Sequence, residues 1–329
     1  MSRFPTTFSA KDPILRPPTR IDELLDARVM ARLDSIDLLS RKIFAGRVQG
    51  ERRSKRRGMS VEFADFRPYV HGDDLRFVDW NIYGRLDRLF LKVFLEEEDL
   101  SLLVVVDATP SMRWGNPDKF VFAQRLAMCL AYIGLVNHHR VTMAAFGTPG
   151  LPLLANQRGR RRAWDVGKWI LGLDPAPVAN PTKESGRATP APVGFEEACR
   201  TLALRRQGRG VMVILSDFLH PEGYEKGLRY VSGGGYDTYA MQILSPEEID
   251  PASHGVTGDL RLVDVETGEE REVTITPQLL ADYRTRLDAH CGGLREFCVR
   301  RGVTHVLVDT AIDLDTLLLD YLRKRGLLR

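Results

Sequence analysis

From Leu100 onward, apolar and polar positions fall in blocks. "LSLLVVVD" (Leu100–Asp107), "RVTMAAFG" (Arg140–Gly147), "GVMVILSDF" (Gly210–Phe218), "YDTYAMQIL" (Tyr236–Leu244) and "VTHVLVD" (Val303–Asp309) are short apolar runs rich in β-branched residues. The first three and the last, apolar and without a polar face, predict buried strands, and Tyr236–Leu244 predicts a further strand. The segments between them predict helices over Pro117–His139, Arg161–Leu173, Val193–Leu204 and Pro221–Ser232. Further helices are predicted over Pro277–Arg301 and Leu314–Gly326. "LPLL" (Leu151–Leu154) reads as a short strand, and residues 259–275 as a hairpin turning near Thr267 and Gly268. Alternating buried strands and helices predict an α/β fold, a doubly wound and mostly parallel sheet with helices on both faces. Ligands of such sheets bind beyond the carboxyl ends of the strands.

Upstream the pattern differs. Residues 1–20 are polar and Pro-rich and read as a flexible lead-in. Ile21, Leu24, Leu25, Val29, Leu33 and Ile36 recur at helical spacing, predicting one amphipathic helix to about Phe44. A basic loop follows, then an aromatic, charged, turn-rich block from Gly58 to Asp99 whose end, "RLFLKVFLEEED", predicts a strand. Residues 21–99 are thus expected as one N-terminal accessory region and 100–329 as the α/β domain.

Composition narrows the function classes. The 329-residue chain carries a formal net charge of +3, too small to imply global attraction to nucleic acid or membrane. Two basic clusters, Glu51–Arg57 and Arg158–Arg162, read as solvated loops without interleaved aromatics; nucleic-acid binding through them is a minor alternative. Cys129, Cys199, Cys291 and Cys298 form no Cys-x-x-Cys pair and sit in apolar surroundings, which favours reduced thiols and a cytoplasmic location. The longest uncharged apolar stretch, Leu126–Val136, is too short to span a bilayer.

Two predicted strands end in aspartate, Asp107 and Asp217. A buried strand that stops on a carboxylate must solvate it, hydrogen-bond it or give it a metal. In extended backbone, positions i, i+2 and i+4 point the same way, so Asp107, Thr109 and Ser111 present three oxygens to one point. Thr189, in the polar loop before the third helix, adds a hydroxyl. Oxygen-only ligands suit Mg²⁺ or Mn²⁺ rather than zinc. A second reading stays open, in which Asp107 and Ser111 only cap the following helix. No lysine is evident beside the site and no Gly-rich phosphate loop is present, which argues against a Mg²⁺-dependent phosphatase or hydrolase using Asp107. Trp114 follows the motif and is a candidate for the mouth of the site. His220, close after Asp217, is a candidate for its rim. His138 and His139 are expected to favour the dipole at the end of the first helix. Trp164 and Trp169 are expected in core or groove packing.

"DATPSM" (Asp107–Met112) resembles the Asp-x-Ser-x-Ser motif of von Willebrand factor A domains. That resemblance implies a divalent ion at a metal-ion-dependent adhesion site (MIDAS), with Thr189 and Asp217 in the places of the family's loop threonine and second aspartate. Thr109 stands where the family has its first serine, and "GRAT" replaces the usual glycines before Thr189. The block "SVEFADFRPYVHGDDLRFVDWNIYGRLDRLFLKVFLEEED" and the closing "FCVRRGVTHVLVDTAIDLDTLLLDYLRKRG" resemble a bacterial family, domain of unknown function 58 (DUF58). Membership implies a non-enzymatic adaptor working with a MoxR-type AAA+ ATPase in protein maturation or remodelling. Within the block, Glu62, Asp65, Arg67, Asp73, Asp74, Asp79 and Trp80 read either as an internal salt-bridge and aromatic scaffold or as a partner-binding surface.

Overall fold

The computed structural model describes residues 17–38, 62–71, 75–95, 100–175, 191–206, 208–256, 258–263 and 270–328. The chain forms two units, residues 49–99 and residues 1–48 together with 100–329. In the smaller one, β1 (Glu62–Pro68) pairs antiparallel with β2 (Phe90–Leu95) across a bulge between Phe63 and Asp65. A helix over Trp80–Leu86 lies between them in the chain. Its start is set by Asp79, whose carboxylate accepts from Asn81 N at 2.8 Å and Ile82 N at 3.2 Å. The strand β1 and this helix were not foreseen, because charges interrupt both periodicities.

The larger unit is built on a six-stranded sheet of order β10-β7-β6-β3-β4-β5. Its strands are β3 (Ser101–Asp107), β4 (Arg140–Phe146), β5 (Leu153–Gln157), β6 (Gly210–Ser216), β7 (Tyr236–Leu244) and β10 (Thr304–Asp309). All neighbours are parallel except the edge strand β5, which runs against β4. A separate hairpin of β8 (Gly258–Val263) and β9 (Glu270–Ile275) stands where one was predicted.

Strand pleating sends successive side chains to opposite faces. Leu102, Val104 and Val106 therefore join one core, and Leu103 and Val105 the other. The first core is covered by the helices Lys119–Val136 and Ala163–Leu171 and by the C-terminal helix from Leu314. The second is covered by Phe195–Arg205, Glu225–Val231 and Pro277–Arg301. The helix Lys119–Val136 is apolar and long enough to cross a bilayer, but 89% of it is buried here, so it is the central core helix.

The expected accessory region of residues 21–99 falls into two parts. Leu24, Leu25, Leu33, Ile36 and Leu38 pack into the first core of the larger unit. The predicted single helix is also broken, into Ile21–Leu24 and Ala27–Leu33, because Asp26 accepts from Arg28 N and Val29 N and starts a new one. Asn137 Nδ2 donates to Ile36 O at 2.7 Å, and His139 Nε2 lies 2.8 Å from Asp37 Oδ1. His139 thus has a carboxylate partner as well as its place at a helix end. Trp169 packs against the core, but Trp164 is 59% exposed with Lys168 over its ring, contrary to the packing expected of it.

Candidate functional site

β3 is flanked by β4 on one side and β6 on the other, so the strand order reverses beside it. The carboxyl ends of β3 and β6 therefore frame the switch point at which open α/β sheets take ligands. Parallel register pairs Val106 with Leu215 and so brings Asp107 and Ser216 level.

Asp107 is closed to solvent, whereas Thr109 and Ser111 are half-buried. Asp107 Oδ1 accepts from Thr109 N at 2.9 Å and Thr109 Oγ1 at 2.7 Å. Thr109 Oγ1 lies 3.0 Å from Ser111 Oγ. The three predicted oxygens do converge. Asp107 Oδ2 accepts from Ser216 Oγ at 2.6 Å, and the same hydroxyl accepts from Phe218 N at 2.9 Å. Burial pushes the Asp107 carboxyl above its ordinary range, and Asp217 adds to this; His220 and the hydroxyls of Ser216 and Thr109 offset it in part.

Capping of the next helix is not what these residues do. That helix begins at Lys119, and its cap is Asp118, which accepts from Val121 N at 3.0 Å. Asp107 instead holds the turn at Thr109.

Asp217 is likewise closed to solvent. Its Oδ1 accepts from Leu219 N at 3.0 Å, and its Oδ2 is 2.8 Å from Lys119 Nζ. Lys119 Nζ also donates to Glu248 Oε1 at 2.6 Å, with only 1% of the lysine side chain exposed. A lysine does adjoin the site, contrary to the sequence expectation; it is separated from Asp217 by 98 residues in the chain. Burial alone would raise the Asp217 carboxyl, but the Lys119 ammonium and its hydrogen bond hold it below its ordinary value. Burial would lower Lys119, and its two carboxylate partners raise it. Burial dominates at Glu248 and raises its carboxyl despite Lys119.

His220 lies near the site. Its ring stacks on Phe195 with centroids 4.7 Å apart, and its Nε2 is 3.3 Å from Ser216 Oγ and 3.8 Å from Asp107 Oδ2. Two glycines let the loops close. Gly147 has φ +81°, and a Cβ there would lie 2.5 Å from Thr109 N; Gly115 has φ +95°, and a Cβ there would lie 2.2 Å from Ser245 Cβ.

The other predicted residues separate. Thr189 lies outside the described residues, as do Asp73 and Asp74. Trp114 is 53% exposed in the loop after Ser111, and Trp80 is 60% exposed. Glu62 and Asp65 belong to β1, Arg67 is exposed on it, and Asp79 is the buried helix cap described above rather than a free surface carboxylate. The basic cluster Glu51–Arg57 lies outside the described residues. In the other cluster, Arg160 pairs with Asp34 and Arg162 with Asp165. Lys119, Ser216 and Glu248 were not foreseen. Two signals existed: a lysine as the first residue of a mostly apolar helix, and the Ser245-x-x-Glu248 capping box that orients Glu248.

The donor set can be tested against a hard divalent ion. Octahedral Mg²⁺ holds oxygens at about 2.0–2.1 Å, which sets adjacent ligand oxygens about 3.0 Å apart. The spacings of 2.7 and 3.0 Å among Asp107, Thr109 and Ser111 match adjacent positions of such a shell. Among the described residues, no three His, Cys, Asp or Glu side chains cluster as a metal site, so the fit rests on hydroxyls.

The sheet is doubly wound and mostly parallel, and the Asp107, Thr109 and Ser111 oxygens lie at its switch point. A family model described as "Protein of unknown function DUF58" matches residues 65–293, and the chain belongs to that family. It is 25% identical over 289 residues, 86% of each chain, to "Uncharacterized protein Rv1480" of Mycobacterium tuberculosis. It is 36% identical over 104 residues, 30% of this chain and 59% of the other, to "Uncharacterized protein MAV169" of Mycobacterium avium. Among solved structures, the SpRpn10 VWA domain aligns with a TM-score of 0.34 at 9% identity, covering 67% of this chain and 93% of that one. Proximal thread matrix protein 1 from the mussel byssus aligns with a TM-score of 0.33 at 10% identity, covering 44% of this chain and 38% of that one.

Proposed function

We propose that this protein is a non-enzymatic, metal-dependent adaptor that binds an acidic side chain of a protein partner. The observation that carries the reading is the chain of contacts at the switch point, Ser111 Oγ to Thr109 Oγ1 to Asp107 Oδ1, with the two hydroxyl residues half-buried. Asp107, Thr109 and Ser111 would hold Mg²⁺ or Mn²⁺, with Asp217 acting through water and Thr189 supplied by the preceding loop. The ion, when bound, supplies a positive centre with an open position that a partner's aspartate or glutamate completes. Neutral hydroxyls leave that positive charge largely unspent. Asp107 is fixed from inside by Ser216, so the cluster meets the ion preorganised. Trp114 offers an exposed aromatic surface in the same loop for the partner. The family resemblance supports a MoxR-type AAA+ ATPase as the assembly partner.

Isothermal titration of Mg²⁺ and Mn²⁺ into the protein tests the reading. Binding by wild type and its loss in Asp107→Ala are expected; no binding by wild type, or equal binding by the variant, overturns it. A pull-down of a MoxR-type ATPase that persists in chelator would exclude metal dependence of that contact.

Lys119 favours a second reading in one respect, since hydrolases that use a strand-end aspartate also place a lysine nearby. Against it, Lys119 is buried between Asp217 and Glu248, so its ammonium is engaged by two carboxylates rather than open to a phosphate. Metal-dependent turnover of generic phosphate esters, lost in Asp107→Asn, would make the second reading the correct one.

A further inference from the structure

Lys119 is the first residue of the central core helix, and both carboxylates it touches come from other elements. Asp217 directly follows β6, and Glu248 lies in the short helix Pro246–Ile249 that follows β7. The ammonium therefore ties the start of one helix to the carboxyl ends of two strands. It uses two of its three N–H donors on carboxylates and is sealed from water.

A buried cation needs a reason, because removing it from water is costly unless its partners are well placed. Here the partners are well placed, and one of them is the second aspartate of the candidate metal site. That aspartate already has a permanent positive neighbour. Its Oδ1 is held by Leu219 N and its Oδ2 by Lys119, so the carboxylate is oriented, and its charge is offset by an ammonium it shares with Glu248, before any ion arrives.

We infer that Lys119 is the built-in counter-ion of this site, and that it weakens metal binding in the partner-free protein by neutralising Asp217. The inference rests on the metal-dependent reading above. Two effects act in one direction. The attraction that Asp217 would exert on a divalent ion is already met by the ammonium. The ammonium also repels a second cation in a region closed to screening water. An acidic group from a partner restores the missing negative charge, so ion and partner favour each other's binding. Lys119 is a positioning residue: it acts on the ion through Asp217.

Titration of Mn²⁺ alone into wild type, Lys119→Gln and Thr109→Val, by calorimetry and by thermal shift, tests this. Lys119→Gln is expected to bind Mn²⁺ roughly tenfold or more tightly than wild type. It should also show a lower melting temperature without metal and a larger rise with it, because the ion then neutralises the abandoned carboxylates. If Lys119→Gln does not fold, the double variant Lys119→Met with Glu248→Gln removes one charge of each sign and takes its place, with the same tighter binding expected. Equal Mn²⁺ affinity in wild type and the Lys119 variant, with binding still lost in Thr109→Val, overturns the role of Lys119 and leaves the metal site standing. No Mn²⁺ binding by wild type or any variant overturns the metal reading itself, and the inference with it.

Discussion

Ser216 Oγ lies 2.6 Å from Asp107 Oδ2, a contact that joins β6 to β3 with both side chains closed to solvent. It fixes the carboxylate at the root of the candidate site from the inner side, leaving Oδ1 to Thr109. Ser216→Ala removes that donor and the acceptor of Phe218 N together. A loss of about 1–3 kcal/mol in urea unfolding is expected. A loss below about 0.5 kcal/mol would mean that Asp107 does not depend on Ser216 for its place.

Thr109 separates coordination from shape. Thr109→Val keeps the volume and removes the hydroxyl, and Mn²⁺ affinity should fall roughly tenfold or more. Thr109→Ser keeps the hydroxyl and should bind as wild type does. Equal Mn²⁺ affinity in the valine and serine variants would remove Thr109 from the ligand set.

Gly147 combines φ +81° with backbone of the Thr109 loop 2.5 Å from where a Cβ would sit. Gly147→Ala should destabilise by at least about 1–2 kcal/mol from conformation alone, and more from the clash. Gly150→Ala is the control, with φ +73° and open space around its Cβ position. Thermal unfolding should place Gly147→Ala clearly below Gly150→Ala; equal melting temperatures would show that the loop yields freely.

His305, on β10, is held well below its ordinary value of 6.5, at about 4, by burial and then by Arg295 and Arg325. Its Nε2 lies 3.1 Å from Gln242 Oε1. The folded chain thus refuses a proton that the unfolded chain accepts. The stability this provides is complete above pH 6.5 and is lost as the pH falls toward 4. About 1–3 kcal/mol should disappear across that window. His305→Gln should flatten that part of the urea midpoint against pH; an unchanged slope would assign it to other groups.

Four free cysteines differ in access. Burial pushes Cys129 and Cys298 up to about 12 and raises Cys199 as well, and all three are closed to solvent. Cys291 is half-buried, and its burial also raises the thiol. A thiol reagent should label Cys291 first in the native protein and all four only after denaturation. Early labelling of Cys199 would contradict its position inside the second core.

Much of the larger unit was legible because its strands are buried on both faces. "LSLLVVVD" and "GVMVILS" carry no polar alternation, and this continuity is what a covered parallel strand requires. The spacing of Asp107, Thr109 and Ser111 was legible too, since extended backbone sends alternate residues one way. The strand β1 was hidden by its charges, and the break at Asp26 by apolar spacing that continues through it.

The sequence by itself determined the strand and helix succession from Leu100 onward and the oxygens of Asp107, Thr109 and Ser111 on one side of the segment after β3, and its resemblance to DUF58 gave the family. The succession and the oxygens follow from local periodicity and from contacts between near neighbours. Only the tertiary structure decided that Ser216 holds Asp107 and that Lys119 sits between Asp217 and Glu248, across 98 and 129 residues of chain. No periodicity encodes such contacts, because strand order and helix placement, rather than sequence distance, choose the neighbours of a buried charge.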